Sequence, residues 1–143
     1  MRNASSREAG FTLIEILVVV FIIGLLATIV TVNVMGQTDK AKVTKAQADL
    51  KEIEQGLHLF KLDNGFYPTT EQGIRALVQK PSGGPQPRKY NPDGYIGKMP
   101  EDPWGNPYVY LSDGQAFVLK CLGADGQQGG EGINADIDSK DLG

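Results

Sequence analysis

The sequence predicts an α+β fold in which one long N-terminal α-helix packs its second half against a small antiparallel sheet. Three observations predict it. No proline falls between Phe11 and Leu62, so nothing breaks a helix of about 50 residues there. Within that stretch Val43, Ala46, Leu50, Ile53, Leu57 and Phe60 recur at helical steps, with Lys45, Asp49, Lys51 and Glu54 between them, which demands one buried face. Toward the other end, two β-prone runs at 108–111 and 116–122 are joined through Ser112-Asp113-Gly114, a hairpin signal.

The helix begins in an apolar segment. From Ile16 through Thr38 there is no charged residue. At about 1.5 Å per residue the run is long enough for a ~30 Å hydrocarbon core, and residues 11–38 are read as a transmembrane half. A secretory signal would have a shorter apolar region and a small-residue cleavage site after it, and neither is present. Gly24 and Gly36 are weak points, while Gly24, Ala27, Thr28 and Val30 would permit close packing between helices. Asp63-Asn64-Gly65 supplies the stop. Glu15 is the anomaly, because a carboxylate in a bilayer costs at least a few kcal/mol unless it is paired or protonated. Its alternatives are a functional pairing with a cation or simple snorkelling to the interface.

After the helix, YPTTEQGIRALV begins with a proline turn and a capping-box pair, Thr69 and Gln72, and predicts a short helix through Val78. Residues 81–92 are rich in Pro and Gly and read as a surface loop. Pro100, Pro103 and Pro107 exclude a central strand, and Trp104 is an apolar anchor for that loop. His58 lies one step off the apolar stripe with no second His nearby, which suits a boundary residue. The lone Cys121 cannot form an internal disulfide and is read as a small buried strand residue.

Composition narrows function. With 17 acidic and 14 basic residues the net charge is -3, and Lys40, Lys42 and Lys45 lack interleaved aromatics, so no nucleic-acid partner is expected. No phosphate-binding Gly-rich Lys-Ser/Thr loop occurs. Glu101, Asp102 and the acids between Asp125 and Asp138 could do acid-base work in principle, but they sit in predicted loops without a partner motif, and no enzyme is expected. The segment LGADGQQGGEGINADIDSKDLG gathers Asp125, Glu131, Asn134, Asp136 and Asp138 on a glycine-rich backbone. Hard oxygen donors of this kind suit calcium, although the spacing is not that of an EF-hand and a solvated acidic tail stays open.

The N-terminal stretch GFTLIEILVVV, residues 10–20, resembles the prepilin signature shared by type IV pilins and pseudopilins. That resemblance implies a pilin-like fold and cleavage by a membrane prepilin peptidase between Gly10 and Phe11. It also implies a 1–10 leader, methylation of the new amino terminus on Phe11, and an assembly role for Glu15, which would pair with the amine of a neighbouring subunit. Together YPTTEQGIRALV, PEDPWGNPY and LGADGQQGGEGINADI are similar to the major pseudopilins of the type II secretion system.

The implied function is the major structural subunit of a pseudopilus, polymerising from the bacterial inner membrane to help export folded proteins across the outer membrane. Its partners would be other copies of itself in a helical homopolymer, minor pseudopilins, membrane lipid before assembly, an inner-membrane assembly platform and, indirectly, a cytoplasmic secretion ATPase. The resemblance further implies a 39–143 head domain in the periplasm, against a simple count of Arg2 and Arg7 versus Lys40, Lys42 and Lys45. It implies one calcium held by the side chains of Asp125 and Asp136, the carbonyls of Leu122 and Ile133, and Asn134. A type IV pilus-like subunit and a monomeric membrane-tethered calcium-binding protein are the alternatives.

Overall fold

The computed structural model describes residues 10–143, with backbone alone at 30–35. Residues 1–9 of the expected leader, with Arg2 and Arg7, and the side chain of Val30 therefore lie outside the described residues. Two compact units divide between Thr38 and Asp39.

Helix α1 (Leu13–Asn64) is continuous. It starts two residues later than Phe11 because Thr12 caps it. The Glu15 amide donates to Thr12 Oγ1 at 3.3 Å, and the Thr12 amide donates to Glu15 Oε2 at 2.8 Å, a reciprocal capping box. The helix stops where expected, with Gly65 at φ 86° donating its amide to the Lys61 carbonyl at 2.7 Å. In the first unit the apolar side chains of α1 stay uncovered: Leu13 is 78% exposed, Phe21 69% and Ile29 61%.

In the second unit Ala46, Leu50, Ile53, Leu57 and Phe60 are fully buried, the stripe read from the sequence. They share one core with Tyr67, Ile74, Leu77, Ile96, Tyr108, Tyr110, Leu119 and Cys121. Strands β1 (Val109–Ser112) and β2 (Phe117–Cys121) pair antiparallel with Tyr110 opposite Leu119. Asp113 organises the turn between them by accepting the amides of Gln115 and Ala116, both at 2.8 Å. Those bonds, led by the one from Ala116, hold its carboxyl below the usual range. A third strand, β3 (Ile137–Asp138), adds to β2 with Cys121 opposite Ile137, giving the order β1-β2-β3. The sequence reading did not contain β3, because two residues carry no readable alternation.

The short helix expected through Val78 is present as a 3-10 helix that begins later than the capping box. The capping-box bonds exist, Thr69 amide to Gln72 Oε1 at 3.1 Å and Gln72 amide to Thr69 Oγ1 at 3.4 Å, but they close only a turn. Gly73, at φ 60° and ψ -172°, breaks the backbone, and a 3-10 helix (Ile74–Leu77) follows. Residues 81–92 form the expected loop, tied down by Gln72 Nε2 donating to the carbonyls of Gly83 and Pro85, both at 2.8 Å.

Candidate functional site

Two regions carry the residues singled out by sequence. At the N-terminal end Gly10 and Phe11 precede the helix in exposed, irregular backbone, with Phe11 86% exposed. Glu15 lies in the first turn of α1, where the positive end of the helix dipole favours a carboxylate. Its bond to the Thr12 amide is a role that sequence reasoning missed, although Thr-Leu-Ile-Glu matches the S/T-x-x-E pattern. Local capping holds the carboxylate within one turn of Phe11.

Among the described residues no helix is long and apolar enough to cross a membrane. Within the expected 11–38 span the side chains at 11–29 and 36–38 are described, and all of them are exposed.

The second region is the loop from Leu122 to Asp138. Its two ends meet where the Ala124 amide donates to the Ile133 carbonyl at 2.9 Å. Asp125 Oδ1 accepts the Gln127 amide and Asp136 Oδ1 accepts the Gly129 amide, both at 3.0 Å. Glycines make the approach possible: a Cβ on Gly123 would fall 2.6 Å from the Asn134 carbonyl carbon, and one on Gly130 would fall 2.5 Å from its oxygen. Leu122, Asn134 and Asp136 are half-buried, while Asp125 and Ile133 are exposed.

Among the described residues no three His, Cys, Asp or Glu side chains gather as a metal site. The donors named from sequence are all oxygens, and two carboxylates with backbone carbonyls fit calcium in kind, since calcium accepts carbonyls in irregular geometry. Glu131 and Asp138 turn to other work or none here: Asp138 caps the final 3-10 turn through the Lys140 amide at 3.1 Å and faces Lys120 Nζ at 3.5 Å.

Of the other two acids considered for acid-base work, Glu101 is exposed and Asp102 has a structural role. Asp102 is buried and its Oδ1 accepts the amides of Trp104 at 3.0 Å and Asn106 at 2.7 Å. The Cys121 thiol lies 3.6 Å from Asp102 Oδ2, and burial first, then the nearby Asp102 charge, raises the thiol pKa from 9.0 to about 11. That is an inert, protonated cysteine. His58 is exposed, as expected of a boundary residue, and meets the Tyr67 hydroxyl at 3.0 Å through Nδ1.

The comparisons with known proteins agree with one another. A family model described as type II secretion system (T2SS), protein G matches residues 33–140, and one for the prokaryotic N-terminal methylation motif matches residues 5–31. The type II secretion system core protein G of Pseudomonas aeruginosa is 54% identical over 137 residues, covering 94% of this chain and 96% of that protein. The protein of the same name from Vibrio cholerae is 51% identical, covering 92% and 90%. The crystal structure of the major pseudopilin from the type 2 secretion system of enterohaemorrhagic Escherichia coli superposes with a TM-score of 0.66 at 45% identity, covering 76% of this chain and 91% of that one. With more than half its length matched by the family model and these relatives aligned nearly end to end, the chain belongs to the type II secretion system protein G family.

Proposed function

We propose that this protein is the major structural subunit of a type II secretion pseudopilus and has no catalytic role. The observation that carries the reading is the first unit itself: a helix whose described apolar side chains are exposed, beginning two residues after Phe11 and carrying Glu15 in its first turn. Such a surface is covered by lipid before assembly and by copies of the same helix afterwards. Residues 11–38 are the membrane and assembly half in this reading, 1–10 the leader removed by the prepilin peptidase, and 39–143 a periplasmic head. Cleavage after Gly10 frees an amine on Phe11, which is then methylated. In the filament Glu15 neutralises the amine of a neighbouring subunit and so sets its register. Minor pseudopilins, the inner-membrane platform and a cytoplasmic ATPase complete the machinery.

In the C-terminal loop the side chains of Asp125 and Asp136, the carbonyls of Leu122 and Ile133, and Asn134 would hold calcium. Bound there, the ion supplies a cross-link for a loop with few apolar residues of its own. The chain's own contribution is the loop closure at Ala124 and Ile133 and the orientation of both carboxylates by backbone amides.

The deciding experiment is the intact mass, with N-terminal peptide mapping, of protein extracted from membranes with and without the prepilin peptidase. Peptidase-dependent loss of residues 1–10 plus one methyl group on Phe11 is the expected result. An intact N-terminus in both strains would leave an ordinary anchored protein and end the assembly reading.

A further inference from the structure

One groove of the head unit has chemistry that none of the site residues described above uses. Lys80, Arg88 and Lys89 line a cleft of about 480 Å³ together with Gln79 and Tyr90, and no carboxylate is among its lining residues. Three exposed cations gathered without an acid between them stand out in a chain of net charge -3. Their mutual repulsion is a cost that an anion would remove.

The floor of this cleft is built from fixed parts. The Lys89 amide donates to Asn64 Oδ1 at 3.0 Å, and its carbonyl accepts the Tyr95 hydroxyl at 3.2 Å. The Tyr90 ring stands edge-on to Phe60, with centroids 6.3 Å apart, and to Tyr95, with centroids 5.5 Å apart. Held in this way, the Tyr90 hydroxyl is shielded from solvent and has no hydrogen-bond partner among the described residues. A buried hydroxyl without a partner is destabilising, and native structures rarely leave one so. Burial raises the Tyr90 pKa, so the phenol remains a donor in search of an acceptor.

The groups around the cleft are thus mostly donors: two ammonium groups, one guanidinium fork and one phenol. A ligand matching them is rich in acceptor oxygens and carries more than one negative charge. A carboxylate offers two oxygens and one charge, whereas a phosphoryl group offers three oxygens and close to two charges, and arginine grips it bidentately. We propose that the cleft formed by Lys80, Arg88, Lys89 and Tyr90 binds a phosphoryl group, supplied as free phosphate or as the headgroup of an anionic phospholipid. The flexible lysine and arginine side chains part to admit it, and the Tyr90 hydroxyl donates to one of its oxygens.

The test uses the full chain in nonionic detergent micelles at constant ionic strength, titrated with inorganic phosphate by calorimetry and by amide chemical shifts of residues 78–92. The expected result is saturable one-to-one binding that perturbs Lys89 and Tyr90. Arg88→Ala weakens it about tenfold or more, the loss expected of a charge-assisted hydrogen bond. Tyr90→Phe weakens phosphate binding while leaving the thermal midpoint in phosphate-free buffer unchanged or raised, a combination that a purely structural tyrosine would not produce. A second arm dopes the micelles with phosphatidylglycerol. Competition with phosphate makes the lipid headgroup the source, and its absence makes soluble phosphate the source. No saturable binding, an equal response to acetate, or Arg88→Ala and Tyr90→Phe variants that bind as the parent does would overturn the proposal.

Discussion

Asp102 shows how one buried side chain can hold a proline-rich turn. Its carboxylate takes the amides of Trp104 and Asn106, while the carbonyl of Asn106 accepts the Asp102 amide at 3.2 Å. Asp102→Ala leaves two amides without an acceptor and should lower the unfolding free energy of the head by about 2–3 kcal/mol in urea denaturation. Asp102→Asn keeps an acceptor oxygen and should lose less. Beneath the turn, Tyr108 donates to Asp49 Oδ2 at 2.9 Å, an acceptor that Lys45 also reaches. Burial, then Asp49, pushes the Tyr108 pKa far above its usual value, and burial raises that of Tyr110 to about 12.

Tyr108, Tyr110 and Cys121 are all favoured in their neutral form by folding, so the sign is common to them. Their contribution is complete below the unfolded pKa and is lost as pH rises toward the folded one. For Cys121 the window is from 9.0 to about 11. Stability measured by circular dichroism should therefore fall through that range, and the fall should be shallower in Cys121→Ala. An identical pH slope in the variant would remove Cys121 from the account.

At the scale of elements, glycines and caps decide where each piece begins and ends. The C-terminal loop depends on Gly123, at φ 68°, approaching the Asn134 carbonyl closer than any Cβ permits. Gly123→Ala should destabilise the head by more than about 1 kcal/mol and perturb the amides of the loop from Leu122 to Asp138, seen as faster hydrogen exchange at Ala124. Among the described residues the buried face of α1 lies in its second half, so the stability of the head is most sensitive there. Leu57→Ala removes a fully buried side chain from the stripe and should cost about 2–5 kcal/mol by the same denaturation measurement.

For the whole molecule, every buried core residue from Ala46 to Cys121 lies in the second unit, while the described apolar residues before Ile29 are exposed. The 39–143 segment expressed alone should accordingly give one cooperative calorimetric transition. Under the calcium reading, that transition should move upward with added calcium and return with a chelator, and Asp125→Ala should abolish the response. Assembly belongs to this scale as well. Glu15→Val should leave membrane insertion and cleavage intact while impairing filament incorporation, measured by crosslinking of subunits. Because Thr12 and Glu15 cap each other, the same variant also removes a helix cap, so Glu15→Gln, which preserves the capping acceptor but not the charge, separates the two roles.

The sequence by itself determined the long helix, its buried stripe, the β1-β2 hairpin and the burial of Cys121, because each rests on a repeating pattern or a local turn signal. It also determined the family, through motifs at 10–20, 67–78, 100–108 and 122–137. Tertiary structure decided the rest. Gly73 turned an expected helix into a turn and a 3-10 segment, since a single positive φ overrides the propensity of its neighbours. Strand β3 exists only because β2 offers an edge for Ile137 and Asp138 to pair with. The buried carboxylate of Asp102 and the gathering of Lys80, Arg88 and Lys89 around Tyr90 depend on distances between side chains. A linear pattern carries periodicity but not those distances, and they are set only when the chain folds back on itself.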